Sequence, residues 1–555
     1  MSYRTPARTR GSSRDSALPV NGSLGARFSG KAEPRAHSRP LPQTLALLAF
    51  LSVSPTVRLS ALQCADGSPP PCRATPHTPR FPPPYSVAVQ YFDNLSADTA
   101  AAYLSDGLAE ALIVRLGRVD RLVVASRTAV QRFRGRPEED ARVRGRTLNV
   151  AHLVTGSVRQ AGGRIRVTAE LVRARDGRRM WGEQYDRPAR EVVELEEDVA
   201  TAVAIAVVGR LLPAERAALA TAPTRESRAY DHYLRGNHVI AERSPASVAQ
   251  AIAEYEAAVR LDPRFTEALA RLSWAYGIFY EHGWVYEGLT QQEVLALASS
   301  AADRAVAQDS ANSEAWHARA EMLSYAYPQT LDSAIRAYQR ALTLNQRNAQ
   351  AMHDYALMLQ WVGDDSGAIA GYHRTLALEP DRPVTLTNLA RISYAQRRYG
   401  EALRWLDSAL TLDPGFLFAH SLRARVHLSL GDLESARRDA ETAARHGLGV
   451  PTEVYSTQAL LSARMGDTAV ARRWAEQLLT EVRDREHPTS EEGLGMGVAL
   501  VALGDTAEAL GFLDRVRPRD GLLSFQLRLP EFDPVRSSAR FRRLVEESRP
   551  QATIR

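Results

Sequence analysis

The sequence predicts an α+β fold: a small mixed α/β domain followed by an all-α solenoid of stacked helical hairpins. Three observations predict it. First, an alanine-rich frame recurs in the second half of the chain, as AIAEYEAAVRLDP (Ala251–Pro263), AIRAYQRALTLNQ (Ala334–Gln346), AIAGYHRTLALEP (Ala368–Pro380) and ALRWLDSALTLDP (Ala402–Pro414). Pro380 and Pro414 lie 34 residues apart, and a fixed period of that size marks hairpins that bury their apolar faces on one another. Second, between residues 86 and 185 the apolar residues alternate in short runs broken by glycine and Asp-Asn turns, which is the strand period. Third, residues 1–84 carry neither pattern.

Composition narrows the function. The net charge of +6 is local, because residues 1–85 hold ten Arg and one Lys against Asp15, Glu33 and Asp66, and the rest of the chain is close to neutral. A basic pI of 9.3 is therefore a property of the leader, and no nucleic-acid partner is expected for the body. Lys31 is the sole lysine, which excludes a P-loop and a protein-kinase strand lysine.

Taken in order, residues 1–40 are rich in Arg, Ser, Gly and Pro and predict disorder. Leu45–Val53 (LALLAFLSV) is too short to span a bilayer but fits the apolar core of a secretory signal, with Val20 as one possible downstream start. Leu62-Gln63-Cys64 is a poor lipobox, since Gln stands where a small residue is expected. Cys64 and Cys72 would form one small disulfide if exported and remain free thiols otherwise. Gly67–Pro84 is a stiff Pro-rich linker.

A compact domain over 85–215 follows. Ser86–Phe92 reads as a strand ended by Asp93-Asn94, Ala100–Leu116 as a helix stopped by Gly117, and Leu122–Ala125 as a buried strand. Asp140–Leu148 reads as a helix. Strands follow at Ala151–Arg159, Ile165–Arg173 and Arg179–Tyr185, separated by Gly162-Gly163 and Asp176-Gly177, with Ile165, Val167, Ala169 and Leu171 on one face. Glu191–Leu212 closes the unit as a long helix.

Five motifs fall in order here: Phe92-Asp93-Asn94-Leu95-Ser96, Asp106-Gly107-Leu108, Ala125-Ser126-Arg127-Thr128, Thr155-Gly156-Ser157-Val158, and Trp181 to Asp186 (WGEQYD). Together they resemble the TolB-like amino-terminal domain found ahead of tetratricopeptide repeats in bacterial signalling proteins. In relatives that module often follows an adenylate cyclase, a kinase or a winged-helix domain. The 84 low-complexity residues here are too few to house one.

The repeats are expected over 229–516 as about eight units, the last two degenerate, with a cap and tail over 517–555. Small residues such as Ala268, Ala298, Ala334, Ala351, Ala368, Ala402, Ala419 and Ala436 let helix axes approach, while Leu, Tyr and Trp fill the gaps beside them. An insertion is expected around His282–Leu295. Gly363-Asp364, Gly431-Asp432, Gly466-Asp467 and Gly504-Asp505 mark turns. This spacing is similar to the tetratricopeptide (TPR) family, which implies a right-handed superhelix. The segment from Phe532 onward is expected to cap the last apolar face.

No constellation for catalysis emerges. The run Gly493-Leu494-Gly495-Met496-Gly497 leads into a repeat helix and reads as packing. No His-Glu-x-x-His, paired Cys-x-x-Cys or Gly-x-Ser-x-Gly occurs, and His282, His317, His353, His420 and His427 are dispersed. We read the chain as no enzyme, with no cofactor and no metal. The resemblance implies a concave groove lined by first helices, where Trp274, His317, Glu321, His353, Gln360, Thr387, Arg391, Tyr394, Ser421 and Arg425 would meet a protein or peptide partner. The expected function is a non-enzymatic scaffold of a bacterial envelope or signalling system, exported to the periplasm or cell envelope, with the leader as the candidate segment for membrane or envelope association. The rival is a cytoplasmic regulatory arm of a separately encoded adenylate cyclase, Ser/Thr kinase or transcription regulator.

Overall fold

A computed structural model describes residues 82–96, 102–135, 139–325, 330–446, 451–482, 488–516 and 522–549. The apolar run at 45–53, Cys64, Cys72 and nearly all of the Pro-rich linker lie outside the described residues.

The first described unit is a six-stranded mixed sheet. Its elements are β1 (Ser86–Val89), β2 (Asp93–Asn94), α1 (Ala102–Gly117), β3 (Val123–Val124), α2 (Arg127–Gln131), α3 (Ala141–Thr147), β4 (His152–Ala161), β5 (Arg164–Arg173), β6 (Arg178–Pro188) and α4 (Val192–Val208). The strand order is β3-β1-β4-β5-β6, with β2 paired to β4. The β3, β1 and β4 strands run parallel, and β4-β5-β6 form an antiparallel meander. Helices cover both faces of the parallel part, so Val87, Ala88 and Val89 are all fully buried, as expected where no strand face meets water. Ile165, Val167, Ala169 and Leu171 share the buried face of β5.

Two details differ from the sequence expectation. Asp93-Asn94 does not simply end a strand, because it forms its own short pairing with Ser157 and Val158. Helix α2 was not expected. Its N-cap is Ser126, whose Oγ accepts from the Ala129 amide at 3.2 Å, and five residues are too few to show a helical period. Gly156 explains two of the motifs at once: a Cβ there would lie 2.0 Å from the Thr168 carbonyl oxygen and 2.5 Å from the Phe92 ring.

A connecting helix, α5 (Pro213–Leu219), leads, among the described residues, into eight helical hairpins. They are α6 (Ser227–Val239) with α7 (Pro245–Leu261), α8 (Thr266–Glu281) with α9 (Gln291–Gln308), α10 (Ser313–Tyr325) with α11 (Leu331–Leu344), and α12 (Ala349–Trp361) with α13 (Asp365–Leu378). Then come α14 (Pro383–Ala395) with α15 (Tyr399–Leu412), α16 (Leu417–Leu430) with α17 (Leu433–His446), α18 (Pro451–Arg464) with α19 (Thr468–Val482), and α20 (Ser490–Leu503) with α21 (Thr506–Arg515). The repeated alanines sit at the contacts: Ala251, Ala268, Ala298, Ala334, Ala351, Ala368, Ala402, Ala419 and Ala436 are all fully buried. The insertion after α8 is shorter than expected, because α9 already begins at Gln291.

The punctuation of each hairpin has a local cause. At Gly363, Gly431, Gly466 and Gly504 φ is between 80° and 87°, the left-handed conformation glycine adopts without a Cβ penalty. In the first three the following Asp then accepts from an amide of the next helix, at 2.9 Å for Asp364 and 3.0 Å for Asp432 and Asp467, a side-chain N-cap. Between hairpins, Asp262, Asp309, Asn345 and Asp413 each accept from the amide two residues on, at 2.9–3.0 Å. These side-chain turns reverse the chain at the same place in successive repeats. The Gly493–Gly497 run lies inside α20. A Cβ at Gly493 would come 2.0 Å from Val516, and one at Gly495 2.7 Å from Thr452, so the glycines there serve close packing.

After α21 the chain leaves the stack. Helix α22 (Leu522–Gln526) and a 3-10 turn at Pro530–Val535 precede α23 (Ala539–Ser548). Helix α23 packs beside α21, where Arg540 bonds Asp514 at 2.5 Å and 2.8 Å. It covers the last hairpin, but α22 and the 3-10 turn do something else.

Candidate functional site: the inner wall and the segment that fills it

The first helices of successive hairpins pack against one another from α8 to α18, making an inner wall. Several of the ten residues predicted to line it act as rungs between neighbouring first helices. His317 on α10 bonds Asp354 on α12 through Nε2 at 2.8 Å. His353 on α12 meets the Thr385 hydroxyl on α14 at 2.9 Å. The Tyr394 hydroxyl on α14 meets Ser429 on α16 at 3.1 Å. Arg425 on α16 donates to Ser456 at 2.9 Å and Thr457 at 3.3 Å on α18. The spacing of these partners, 31 to 37 residues, is the repeat itself. Each rung satisfies polar groups that would otherwise be buried at a cost.

The remaining predicted residues divide. Gln360 accepts from Tyr372 within its own hairpin at 2.7 Å, and Thr387 donates to the Pro383 carbonyl at 2.9 Å. The Ser421 hydroxyl and the Arg391 Nε are buried with no hydrogen-bond partner among the described residues. Trp274 is half-buried between the guanidinium groups of Arg243 and Arg271, 5.6 Å and 5.5 Å from its ring, a cation–π arrangement. Glu321 is half-buried, and burial pushes its carboxyl up to about 8 against the pull of His317.

The two central histidines are tuned in opposite directions. Burial alone would lower both. At His317, Asp354 and Glu314 outweigh it and push the imidazole up to about 10. At His353 burial prevails and Arg382 adds to it, holding the ring down at about 3. The wall thus carries one charged and one neutral imidazole on adjacent repeats. Among the described residues no group of three His, Cys, Asp or Glu side chains is placed to hold a metal ion.

The wall is not open along its length. The α/β unit covers its beginning. Arg115, Glu196 and Tyr230 meet there, fully desolvated, with the Tyr230 hydroxyl 2.8 Å and 2.9 Å from the Glu196 oxygens and Arg115 at 3.7 Å. Burial pushes the Glu196 carboxyl up to about 8. Asp106 of the Asp106-Gly107-Leu108 motif takes Arg134 at 2.5 Å and His238 of α6 at 2.7 Å. Further along, Arg118 pairs with Glu267 at 3.9 Å and Arg132 with Asp381 at 3.4 Å.

The C-terminal segment covers a later stretch, beside α12 and α14. Phe525 and Leu529 are 1% and 4% exposed and belong to one apolar cluster with Leu359, Leu386, Leu389 and Ala390. Arg528 grips Asp365 with two bonds, 2.9 Å and 2.6 Å, a bidentate pair. Arg397, whose φ of 59° is left-handed, donates to the Arg528 carbonyl at 2.7 Å and reaches Asp533. Glu531 lies 3.6 Å from Arg425. Asp354, Asp365, Arg397 and Glu531 were all missed from sequence. The available signal was a stretch, Leu523 to Phe532, with five large apolar residues and no partner helix.

No family model matches the chain. A stretch of 204 residues is 29% identical to a protein named putative adenylate cyclase 3 from Rhizobium meliloti (strain 1021), covering 37% of this chain and 35% of that protein. A stretch of 76 residues is 36% identical to TPR repeat-containing thioredoxin TTL4 of Arabidopsis thaliana, covering 14% of this chain and 11% of that one. The matches thus span about a third or less of these relatives' lengths. Among solved structures, PilW, a type IV pilus biogenesis factor, is 19% identical with a TM-score of 0.33 over 40% of this chain and 95% of that one. The APC/C hetero-tetramer Cut9-Hcn1 is 11% identical with a TM-score of 0.40 over 64% and 63%. With eight hairpins among the described residues stacked through their alanines, the chain is mostly a TPR-like helical solenoid, joined to a small sheet region.

Proposed function

We propose that this chain is a non-enzymatic protein-binding scaffold of a bacterial envelope or signalling system, and that it receives partners on the inner wall of its repeats. The observation that carries this reading is that the wall already accepts a polypeptide segment. Apolar anchors enter between first helices, and wall arginines face the segment's acids, which is how helical-repeat grooves take peptides. The Leu45–Val53 run supports export to the envelope, and the TolB-like motif set supports a signalling context.

The test is site-specific photocrosslinking in the native host. A photoreactive residue at Trp274 or Arg391, both half-buried on the wall, should capture one defined protein that the same probe at exposed Ser408 on α15 does not. Equal capture from all three positions would defeat the reading.

A second reading is a regulatory arm for a separately encoded adenylate cyclase. It is favoured by the 204-residue likeness to the putative cyclase. On that reading the captured protein is itself a cyclase, and the chain alone turns over no nucleotide.

A further inference from the structure

We infer that the Leu523–Asp533 stretch is a resident substitute for a partner segment: two apolar anchors four residues apart, then an acid followed by phenylalanine. The inference rests on the scaffold reading and names the chemistry of the partner. Three observations carry it. The stretch does not continue the stack; it returns to residues 131 to 163 positions earlier through Arg397 and Asp365. Its two anchors are deeply placed, with Phe525 1% and Leu529 4% exposed.

Its polar fit, by contrast, is incomplete. Glu531 is 5% exposed, yet among the described residues neither of its carboxylate oxygens has a hydrogen-bond partner. Arg425 stands at 3.6 Å, beyond hydrogen-bonding range. Beside them is a cavity of about 250 Å³ lined in part by Tyr394, Tyr399, Ser429, Arg464 and Asp533. A buried carboxylate left without donors is a standing cost to its occupant. A partner whose acid reaches the Arg425 guanidinium within hydrogen-bonding range escapes that cost, so it can displace a segment that is otherwise covalently tethered in place. The groove is thereby held closed to weak competitors and opened by a segment with the right acid.

The experiment adds a fluorescent peptide of residues 521–537 to three full-length hosts: the unaltered chain, Phe525→Ala/Leu529→Ala, and Arg528→Asp. The last loosens the resident segment through repulsion from Asp365 without emptying an apolar site. Anisotropy should show at least tenfold tighter binding to both altered hosts than to the unaltered chain. A peptide carrying Phe525→Ala and Leu529→Ala should not bind any of them. No peptide binding to either host, with helical circular dichroism retained, would overturn the inference. So would reciprocal dimers of the unaltered chain by light scattering, which assign the groove to a second copy. Neither result touches the scaffold reading, which stands or falls on crosslinks from Trp274 and Arg391.

Discussion

Replacing Phe525 with alanine isolates the contact between the C-terminal segment and the wall. The ring is 1% exposed and lies under the Arg528 guanidinium at 5.2 Å. Truncating a buried phenylalanine costs about 3–5 kcal/mol, the removed transfer energy plus the cavity left behind. Because the segment lies between α21 and α23 and docks on the wall through side chains, that loss should fall on its local undocking ahead of global unfolding. At about 1.4 kcal/mol per factor of ten, the segment's amides should exchange hydrogen over 100-fold faster. The reporters are the amides of Leu527, Arg528, Leu529 and Phe532, which bond within the segment at 3.0–3.2 Å. Hydrogen-exchange mass spectrometry reads them separately from α14 and α16, where protection should change little. Unchanged exchange in 522–535, or loss of protection across the whole array in one step, would refute the reasoning.

Two further outcomes follow from the same structure. His317 is held at about 10 against an ordinary 6.5, so its stabilisation is complete below pH 6.5 and is lost as pH rises toward 10. The full span is worth at most about 5 kcal/mol; denaturant midpoints should fall over that window, and His317→Gln should flatten the fall while lowering stability at pH 6. On the export proposal, alkaline phosphatase fused after Tyr85 should be active in a bacterial host, and an inactive, cytoplasmic fusion would contradict it.

The stack was legible because its determinants are local and repeated. Ala402 and Ala409 sit seven residues apart on one helix face, and Gly-Asp pairs end first helices through φ and capping alone. Strand alternation exposed β5 in the same way, with Ile165, Val167, Ala169 and Leu171 all turned inward. The filling of the groove was not legible. Pro530 and Pro534 read as turn residues, and nothing local tells Phe525 to pack beside α12, more than 160 residues earlier. The ten predicted residues lie on first helices, but their hydrogen-bond partners could not be read from the sequence. His317, His353, Tyr394 and Arg425 pair with Asp354, Thr385, Ser429 and Ser456, and those partners carry no signature beyond lying one repeat away.

In this fold the chain's own C-terminal segment lies on the inner wall of hairpins four to seven. A photoreactive residue at Gln526, irradiated in a mixture of isotopically light and heavy protein, tests it most directly. Crosslinks should form within one molecule, from Gln526 to α12 or α14. Crosslinks joining light to heavy chains, or none reaching those helices, would contradict it.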